Sequence, residues 1–321
     1  MDDLSQVLQT RLPPWLSRKI GCSELEDLSV ERLAGGYSNE TWKISTRYHL
    51  GGQRGSMAFV LRWAPPGGVS APYDIPGQFA LMRALANTPI PTAEPLWLEA
   101  DPAVLGQPFL TMKVVGGATA PRAFPFDDPL REEKLRSYVR ALASIHNLDW
   151  KAYGVDQVLP APPPGTVAQA AIEGVLTRIA ARGSENDPRV KRAVSWLLER
   201  APACSEVQLI HGDPNISNYR FDSTSVVAIL DWEAASLSEP LWDVGVYSGG
   251  LRRRHPEDFK TQSRERELFL GLYSEFTGRS FEVLDYWEVM YFLRAAVTTE
   301  HPGMSHVDSS AFWEQLAKLT A

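Results

Sequence analysis

Leu209-Ile210-His211-Gly212-Asp213-Pro214-Asn215-Ile216-Ser217-Asn218-Tyr219-Arg220-Phe221-Asp222 is followed shortly by Ala228-Ile229-Leu230-Asp231-Trp232-Glu233. In both stretches a short apolar run ends in polar residues. Tyr219 to Phe221 and Val226 to Leu230 can pair as a hairpin around Asp222-Ser223-Thr224-Ser225, a cluster of turn formers. With Thr224 and Ser225 as the central turn residues, position 218 lies opposite 231. Directly paired residues have Cα atoms about 4.5–5.5 Å apart. The pairing therefore predicts Asn218 and Asp231 on one face at the open end of the hairpin. An amide oxygen and a carboxylate are hard ligands, and Mg2+ takes a few of these together with phosphates and water. Asp213 lies five residues before Asn218, on the loop leaving the strand at 208–210. It can reach the same centre without being a ligand. A carboxylate beside a metal–phosphate site is suited to accept a hydroxyl proton, an effect of roughly 10²–10⁴-fold. Taken singly, Asp213 and Asn218 read as turn residues and Asp231 as a helix cap. Three of them ending buried-type strands read as a phosphoryl-transfer set.

Composition narrows the classes around this core. The chain has 321 residues, enough for two domains. Lys plus Arg number 32 against 39 Asp plus Glu, a net charge of −7, which argues against nucleic acid as a partner. The two cysteines, Cys22 and Cys204, form no C-x-x-C, which excludes zinc ribbons and disulfide scaffolds and suits a reduced cytoplasmic setting. Met-Asp-Asp-Leu-Ser at the start lacks the basic and apolar regions of a signal peptide, and no apolar run is long enough for a membrane span. Ten tryptophans are compatible with core packing or with an aromatic pocket.

Along the chain, Leu4, Val7, Leu8 and Leu12 keep helical spacing until Pro13 and Pro14, which are expected to stop the helix. Strands are expected at 28–33, 40–46 and 58–63, an antiparallel meander. Ile75, Phe79, Met82 and Leu85 predict a helix, and two further strands are expected at 96–99 and 109–115. Gly116-Gly117 marks a hinge. Beyond it the spacing predicts helices over 130–147, 167–182 and 188–200, strands near 208–210 and 226–230, and helices through most of 241–319. The layout is α+β: a small β-rich N-lobe over 1–115 and a larger, mostly helical C-lobe over 116–321. Neither G-x-G-x-x-G nor G-x-x-x-x-G-K-[ST] occurs.

The His211-Gly212-Asp213 to Asn218 motif, followed by an apolar strand and Asp231-Trp232-Glu233, resembles the aminoglycoside phosphotransferase and choline kinase-like family. The fold of that family is similar to that of protein kinases, and the resemblance extends from about residue 30 to 300. It implies ATP and Mg2+ as cofactors. It implies Asp213 as the base orienting the acceptor hydroxyl, and Asn218 and Asp231 as the groups holding Mg2+. His211 would brace the loop rather than bind zinc. Glu233 is open between assisting the metal and facing solvent. Gly35, Gly36, Ser38 and Asn39 occupy the place of the phosphate-covering loop, where glycines let backbone amides approach phosphates. Arg62, in Val60-Leu61-Arg62, stands where protein kinases place a phosphate-binding Lys. A branch related to domains found with acyl-CoA dehydrogenases is similar in using Val-Leu-Arg there. Met112 to Val115, with Lys113 and Val115, matches the hinge that would take adenine through backbone groups. Where the family places Glu on the next helix, the nearest residue here is Gln78, which can hydrogen-bond Arg62 but not neutralise it. Asp243 resembles a structural residue at a helix start.

The leading reading is an ATP-dependent kinase of a small-molecule alcohol, acting as a monomer or homodimer with no membrane partner. The alternative is a nucleotide-binding pseudokinase or interaction module, for which Gln78 is the support. A protein kinase would carry His-Arg-Asp, Asp-Phe-Gly and Ala-Pro-Glu. A serine hydrolase would carry G-x-S-x-G, and Gly245-Val246-Tyr247-Ser248-Gly249 is out of register. Residues 232–321 hold 14 acidic and 9 basic side chains, a surplus too mild to mark a polycation site. Trp242, Tyr247, Tyr273, Trp287, Tyr291 and Phe292 could line a pocket or form core, and Arg252-Arg253-Arg254 could meet an anion such as a CoA ester or face solvent. A hydroxylated metabolite or hydroxyacyl compound is favoured over an antibiotic.

Overall fold

The computed structural model describes residues 4–33, 39–67, 73–120, 124–125, 127–163, 165–203, 206–254, 259–304 and 307–321; of these, the side chains of 253–254, 259–263 and Gly303 are not described. Contacts divide the chain into two units: Met1–Asn87 with Thr92–Gly116, and Thr88–Pro91 with Gly117–Ala321.

In the first unit, helix α1 (Leu4–Ile20) passes through Pro13 and Pro14 instead of stopping at them. Each proline removes one backbone donor. The carbonyls that lose a partner belong to Gln9 and Thr10, whose residues are exposed, so water can serve them. The apolar stripe continues past the prolines through Trp15 and Leu16, both buried, and this anchoring holds the last turns in place. Strands β1 (Glu24–Arg32), β2 (Glu40–Leu50), β3 (Gln53–Trp63), β4 (Pro95–Glu99) and β5 (Phe109–Lys113) form one antiparallel sheet in the order β1-β2-β3-β5-β4. The meander is thus longer than the spacing predicts. Helix α2 (Ile75–Leu85) lies against β4 and β5, with Asp74 capping its start by accepting from Gly77 N at 2.8 Å.

Period-two alternation puts Trp42, Ile44, Phe59, Leu61 and Phe109 in one core with the α1 stripe. Trp15 meets Phe109 edge-on at 4.9 Å and donates its indole N–H to Glu99 at 2.6 Å. Trp15, Trp42 and half-buried Trp97 are therefore core tryptophans, as the packing reading expects. Arg62 pairs across the sheet with Thr41 and Leu110, on the face opposite Leu61.

The second unit contains strands β6 (Ala118–Thr119), β7 (Gln208–Ile210), β8 (Tyr219–Asp222), β9 (Ser225–Ile229) and β10 (Ser236–Ser238), and helices α3 (Arg131–His146), α4 (Val167–Ala181), α5 (Pro188–Glu199), α6 (Leu241–Arg254), α7 (Phe259–Thr277), α8 (Leu284–Thr299) and α9 (Ser310–Leu319). The strands form two small antiparallel sheets, β10-β7 and β6-β8-β9. Helix α8 is buried on nearly every side. It meets α6 through Gly245 and Gly249, where an added Cβ would lie 2.8 Å from Trp287 backbone and 2.7 Å from the Tyr291 ring. That close approach is the role of the Gly-x-x-x-Gly segment. Its Ser248 donates to buried Glu288 at 2.7 Å and is no exposed nucleophile. Trp242, Tyr247, Tyr273, Trp287 and Phe292 are buried and form core; Tyr291 is half-buried.

Trp15→Ala removes a fully buried ring and should lower stability by about 3–5 kcal/mol in denaturant unfolding. A loss under about 1 kcal/mol would show that α1 is not part of the first unit's core.

Candidate active site

The loop after β7 is fixed through its backbone. Asp243, fully buried in the first turn of α6, accepts His211 N–H on Oδ2 at 2.7 Å and Gly212 N–H on Oδ1 at 2.8 Å. Gly212 has φ +78, and a Cβ there would fall 2.0 Å from Ala234 O, so only glycine fits. Its carbonyl accepts from Arg294 Nη1 at 2.8 Å and Trp242 Nε1 at 3.2 Å. Both ends of the residue before Asp213 are thereby held. Tyr138 on α3 donates to Pro214 O at 2.5 Å, just after Asp213.

Behind Asp243 stands a second layer. His146, at the buried end of α3, donates from Nε2 to Asp243 Oδ2 at 3.0 Å and accepts on Nδ1 from Tyr273 Oη at 2.7 Å. This tautomer is the one the network requires, since Asp243 can only accept when ionised and burial holds the Tyr273 hydroxyl protonated, above its ordinary range. Burial also lowers the His146 pKa from 6.5, against the pull of Asp243, so the imidazole is neutral. Arg279 clamps the same helix end, donating to His146 O at 2.9 Å and to Asn147 Oδ1 at 2.8 Å while paired with Glu206.

His211 is fully buried. Its Nε2 donates to Leu230 O at 2.8 Å, and its Nδ1 accepts from Asp213 N at 3.3 Å, with Trp232 packed 4.9 Å away. It ties the loop to the end of the hairpin, the bracing role the motif implies. Asp213 itself is half-buried. Asn215 Nδ2 donates to its Oδ1; Asn218 Nδ2 donates to its main-chain carbonyl at 2.9 Å and to Oδ2 at 3.4 Å. Burial pushes the Asp213 carboxyl above its ordinary value; Arg294 opposes the rise and Asp231 adds to it. A raised pKa makes a stronger proton acceptor.

The hairpin register differs from the expected one. Asp222 pairs with Ser225, so Ser223 and Thr224 are the central turn residues, with Ser223 at φ +54. A bulge between Arg220 and Phe221 then shifts the ladder to Arg220–Ala228 and Tyr219–Ile229. Leu230 N donates to Asn218 O at 2.7 Å, so position 218 faces 230 and not 231. Asp231 is the next residue, at φ 66 and ψ 58. This left-handed backbone, tolerated best by Asp and Asn among residues with a Cβ, ends the strand and turns the chain at that point. Asp213, Asn218 and Asp231 still meet in one neighbourhood: Asn218 through its bonds to Asp213, Asp231 through its electrostatic effect on Asp213. The Asn218 amide nitrogen faces Asp213, with its bonds to the Asp213 carbonyl and carboxylate. Glu233 is half-buried in the turn 232–234.

In the first unit, Arg62 and Gln78 are both buried, at 6% exposure each, so Arg62 is no solvated strand residue. Asn39 is buried at the entry to β2. Lys113 N–H donates to Glu94 O at 2.8 Å, and its side chain pairs with Glu94 at 2.6 Å. Val115 is half-buried. Gly35, Gly36 and Ser38 lie outside the described residues. Arg252 pairs with Glu288 at 3.0 Å, while the Arg253 and Arg254 side chains lie outside the described set. The residues that spacing misses are His146, Tyr273 and Arg294, whose partners lie about 80 to 130 positions away.

A family model described as the phosphotransferase enzyme family matches residues 29–274. Acyl-CoA dehydrogenase family member 11 of Mus musculus is 30% identical over 227 residues, covering 68% of this chain and 27% of that protein. The chain thus spans about a quarter of the length of that curated relative. Among solved structures, a Ralstonia eutropha protein provisionally assigned as an aminoglycoside phosphotransferase superposes with TM-score 0.70 at 22% identity, over 97% of this chain and 95% of that one. A thermostable mutant of aminoglycoside phosphotransferase APH(4)-Ia, in ternary complex with AMP-PNP and hygromycin B, gives TM-score 0.58 at 16% identity, over 97% and 98%. These likenesses place the fold in the kinase-like α+β class. No described helix is long and apolar enough to cross a membrane.

Because the folded pKa of His146 is lowered, the unfolded chain binds its proton more readily. Its contribution to stability is full above about pH 6.5 and is lost as pH falls below that. The stability advantage of wild type over His146→Gln, from denaturant unfolding, should therefore shrink between pH 7.5 and 5. An advantage independent of pH would contradict a neutral His146.

Proposed function

The chain belongs to the phosphotransferase enzyme family, and from that membership we propose that it transfers the γ-phosphoryl group of ATP to a hydroxyl of a small molecule. The observation that carries the reading is the Asp213 carboxyl. It is half-buried, pushed up in pKa, and held in a loop whose neighbouring amides are fixed by Asp243. In the reaction the acceptor oxygen forms a bond to the γ-phosphorus while the bond to the ADP oxygen breaks. The hydroxyl proton passes to an Asp213 carboxylate oxygen. Asn218 orients that carboxylate through its amide N–H.

The donor set fits Mg2+. The Asn218 amide oxygen and the Asp231 carboxylate are hard ligands, and Mg2+ normally completes its shell with water and substrate phosphates. Among the described residues no group of three or more His, Cys, Asp or Glu could hold a metal alone, which agrees with a cation shared with phosphates. Bound there, Mg2+ would neutralise charge on the phosphate oxygens. In the first unit, Arg62 and Asn39 supply polar groups for the nucleotide, Val115 and the Lys113 carbonyl the adenine contacts, and Gly35, Gly36 and Ser38 the phosphate-covering loop. A bound AMP-PNP in the APH(4)-Ia complex supports nucleotide use. Gln78 gives the pseudokinase alternative its support, and turnover decides between them. The relatives named as acyl-CoA dehydrogenase family members favour a hydroxylated metabolite or hydroxyacyl compound as acceptor.

Asp213→Ala should lower kcat by about 10²–10⁴-fold while Mg–ATP affinity, measured by calorimetry, is retained. Turnover within threefold of wild type would remove Asp213 as base. Asn218→Ala and Asp231→Ala should each raise the Mg2+ concentration for half-maximal rate at least tenfold. An unchanged Mg2+ dependence would show that the cation is held elsewhere.

A further inference from the structure

Asn215 follows Asp213 by two residues, and its backbone is held on both sides. Its N–H donates to Asp213 O at 2.8 Å, and its carbonyl accepts from Asn218 N at 2.8 Å. Pro214, between Asp213 and Asn215, has a ring-fixed φ and a carbonyl held by the buried Tyr138 hydroxyl at 2.5 Å. With φ −61 and ψ 137, Asn215 stands at the start of the short helical turn Ile216–Asn218. An asparagine there ordinarily points its side-chain oxygen onward, to accept from an N–H of the turn. Asn215 makes no such bond. Its side chain turns back instead, and Nδ2 donates to Asp213 Oδ1. The amide orientation follows from the partner, because an ionised carboxylate can only accept. The second carboxylate oxygen is engaged far less. Asn218 Nδ2 is 3.4 Å from Oδ2 and makes its shorter bond, at 2.9 Å, to the Asp213 main-chain carbonyl. Among the described residues no other donor is hydrogen-bonded to the Asp213 carboxylate.

We propose that Asn215 is a positioning residue for phosphoryl transfer: it fixes Asp213 Oδ1 and thereby leaves Oδ2 as the oxygen that takes the acceptor's proton. The proposal rests on the kinase reading of Asp213 and adds which oxygen acts and what aims it. In the step, the acceptor oxygen forms its bond to the γ-phosphorus while the bond to the ADP oxygen breaks. The acceptor O–H bond breaks as well, and its proton goes to Oδ2. Asn215 gains and loses nothing. Rotation of an aspartate carboxylate about its last bond is broad unless one oxygen is held. The long contact from Asn218 is too weak to set that rotation. A bond from an amide to an ionised oxygen is roughly twice as strong as a neutral one, and Asn215 makes it from an anchored backbone. A reacting atom misplaced by about 1 Å loses about 10²-fold in rate, so the aim of the carboxylate bears directly on turnover.

The test uses the full chain with Mg–ATP and, as acceptors, water, ethanolamine, hygromycin B and short-chain hydroxy acids with their CoA thioesters. Single-turnover ADP formation gives the transfer rate, and steady-state rates give KM for ATP and for the acceptor that wild type uses best. Asn215→Ala should lower the transfer rate about 10- to 100-fold and leave ATP KM within about twofold. Asn215→Gln keeps an amide donor and should recover part of that rate. Asn215→Leu matches the asparagine in shape but donates nothing, and should behave as Asn215→Ala does. The deciding measurement combines each of the Ala and Leu changes with Asp213→Ala. A residue that acts only through the Asp213 carboxylate has nothing left to aim once that group is gone. Either change should therefore cost less than about threefold in the Asp213→Ala background. The Leu variant keeps the cycle open if the Ala variant does not fold. An equal loss in both backgrounds would overturn the proposal and make Asn215 a scaffold or a substrate contact. Wild-type rates in both Asn215→Ala and Asn215→Leu would overturn it too, with the kinase reading intact. Full transfer by Asp213→Ala, or no ADP from wild type with any acceptor, would fail the kinase reading itself, and the proposal would fall with it.

Discussion

One buried carboxylate organises the second unit. Asp243 accepts two successive backbone N–H groups from the Asp213 loop and a third hydrogen bond from His146. Backbone amides at a sharp turn have no helix or strand partner, and left unpaired in the interior each costs about 1–3 kcal/mol. Asp243 satisfies both from a single rigid point, the first turn of α6. Gly212 then has no freedom to move, because its carbonyl is held by Arg294 and Trp242 and its α-carbon lies against Ala234. The position of Asp213 follows from the position of α6, which in turn is fixed against α8 by the glycine contacts at 245 and 249.

The layer behind Asp243 explains why polar residues are tolerated so deep. Tyr273, His146 and Asp243 form a chain in which Tyr273 donates to His146, His146 donates to Asp243, and Asp243 accepts from the loop amides. A neutral imidazole and a protonated phenol suit a buried setting, since neither brings a charge that needs solvation. Arg279 closes the rear by holding the α3 end against Glu206. The loop carrying Asp213 is therefore supported by α3, α6, α7 and α8 together. Such support is what keeps a proton acceptor in place while its own bonds to Asn215 and Asn218 remain few.

Much of this was legible in the chain itself. Helices over 75–85, 130–147, 167–182 and 188–200 show in the apolar spacing, since each buries one stripe. The interval from Asp213 to Asn218 and on to Asp231 is local enough to read directly. The hairpin register was not, because it depends on a left-handed Ser223 and a bulge at Arg220, and neither leaves a periodic trace. Pro13 and Pro14 misled for a related reason: local breakers give way where Trp15 and Leu16 gain burial beyond them. β6 and β10 are too short to show alternation. His146 and Arg294 act through partners far along the chain, and spacing cannot bring such partners together.

Backbone hydrogen exchange at His211 and Gly212 tests the account most directly, comparing wild type with Asp243→Asn. The substituted amide keeps one accepting oxygen and sets a donor against the other loop N–H. The account predicts slow exchange at both amides in the wild type. In the variant at least one of them should exchange tenfold or more faster, while interior α8 amides stay unchanged. Identical exchange at His211 and Gly212 in both proteins would contradict the claim that Asp243 holds the loop on which Asp213 depends.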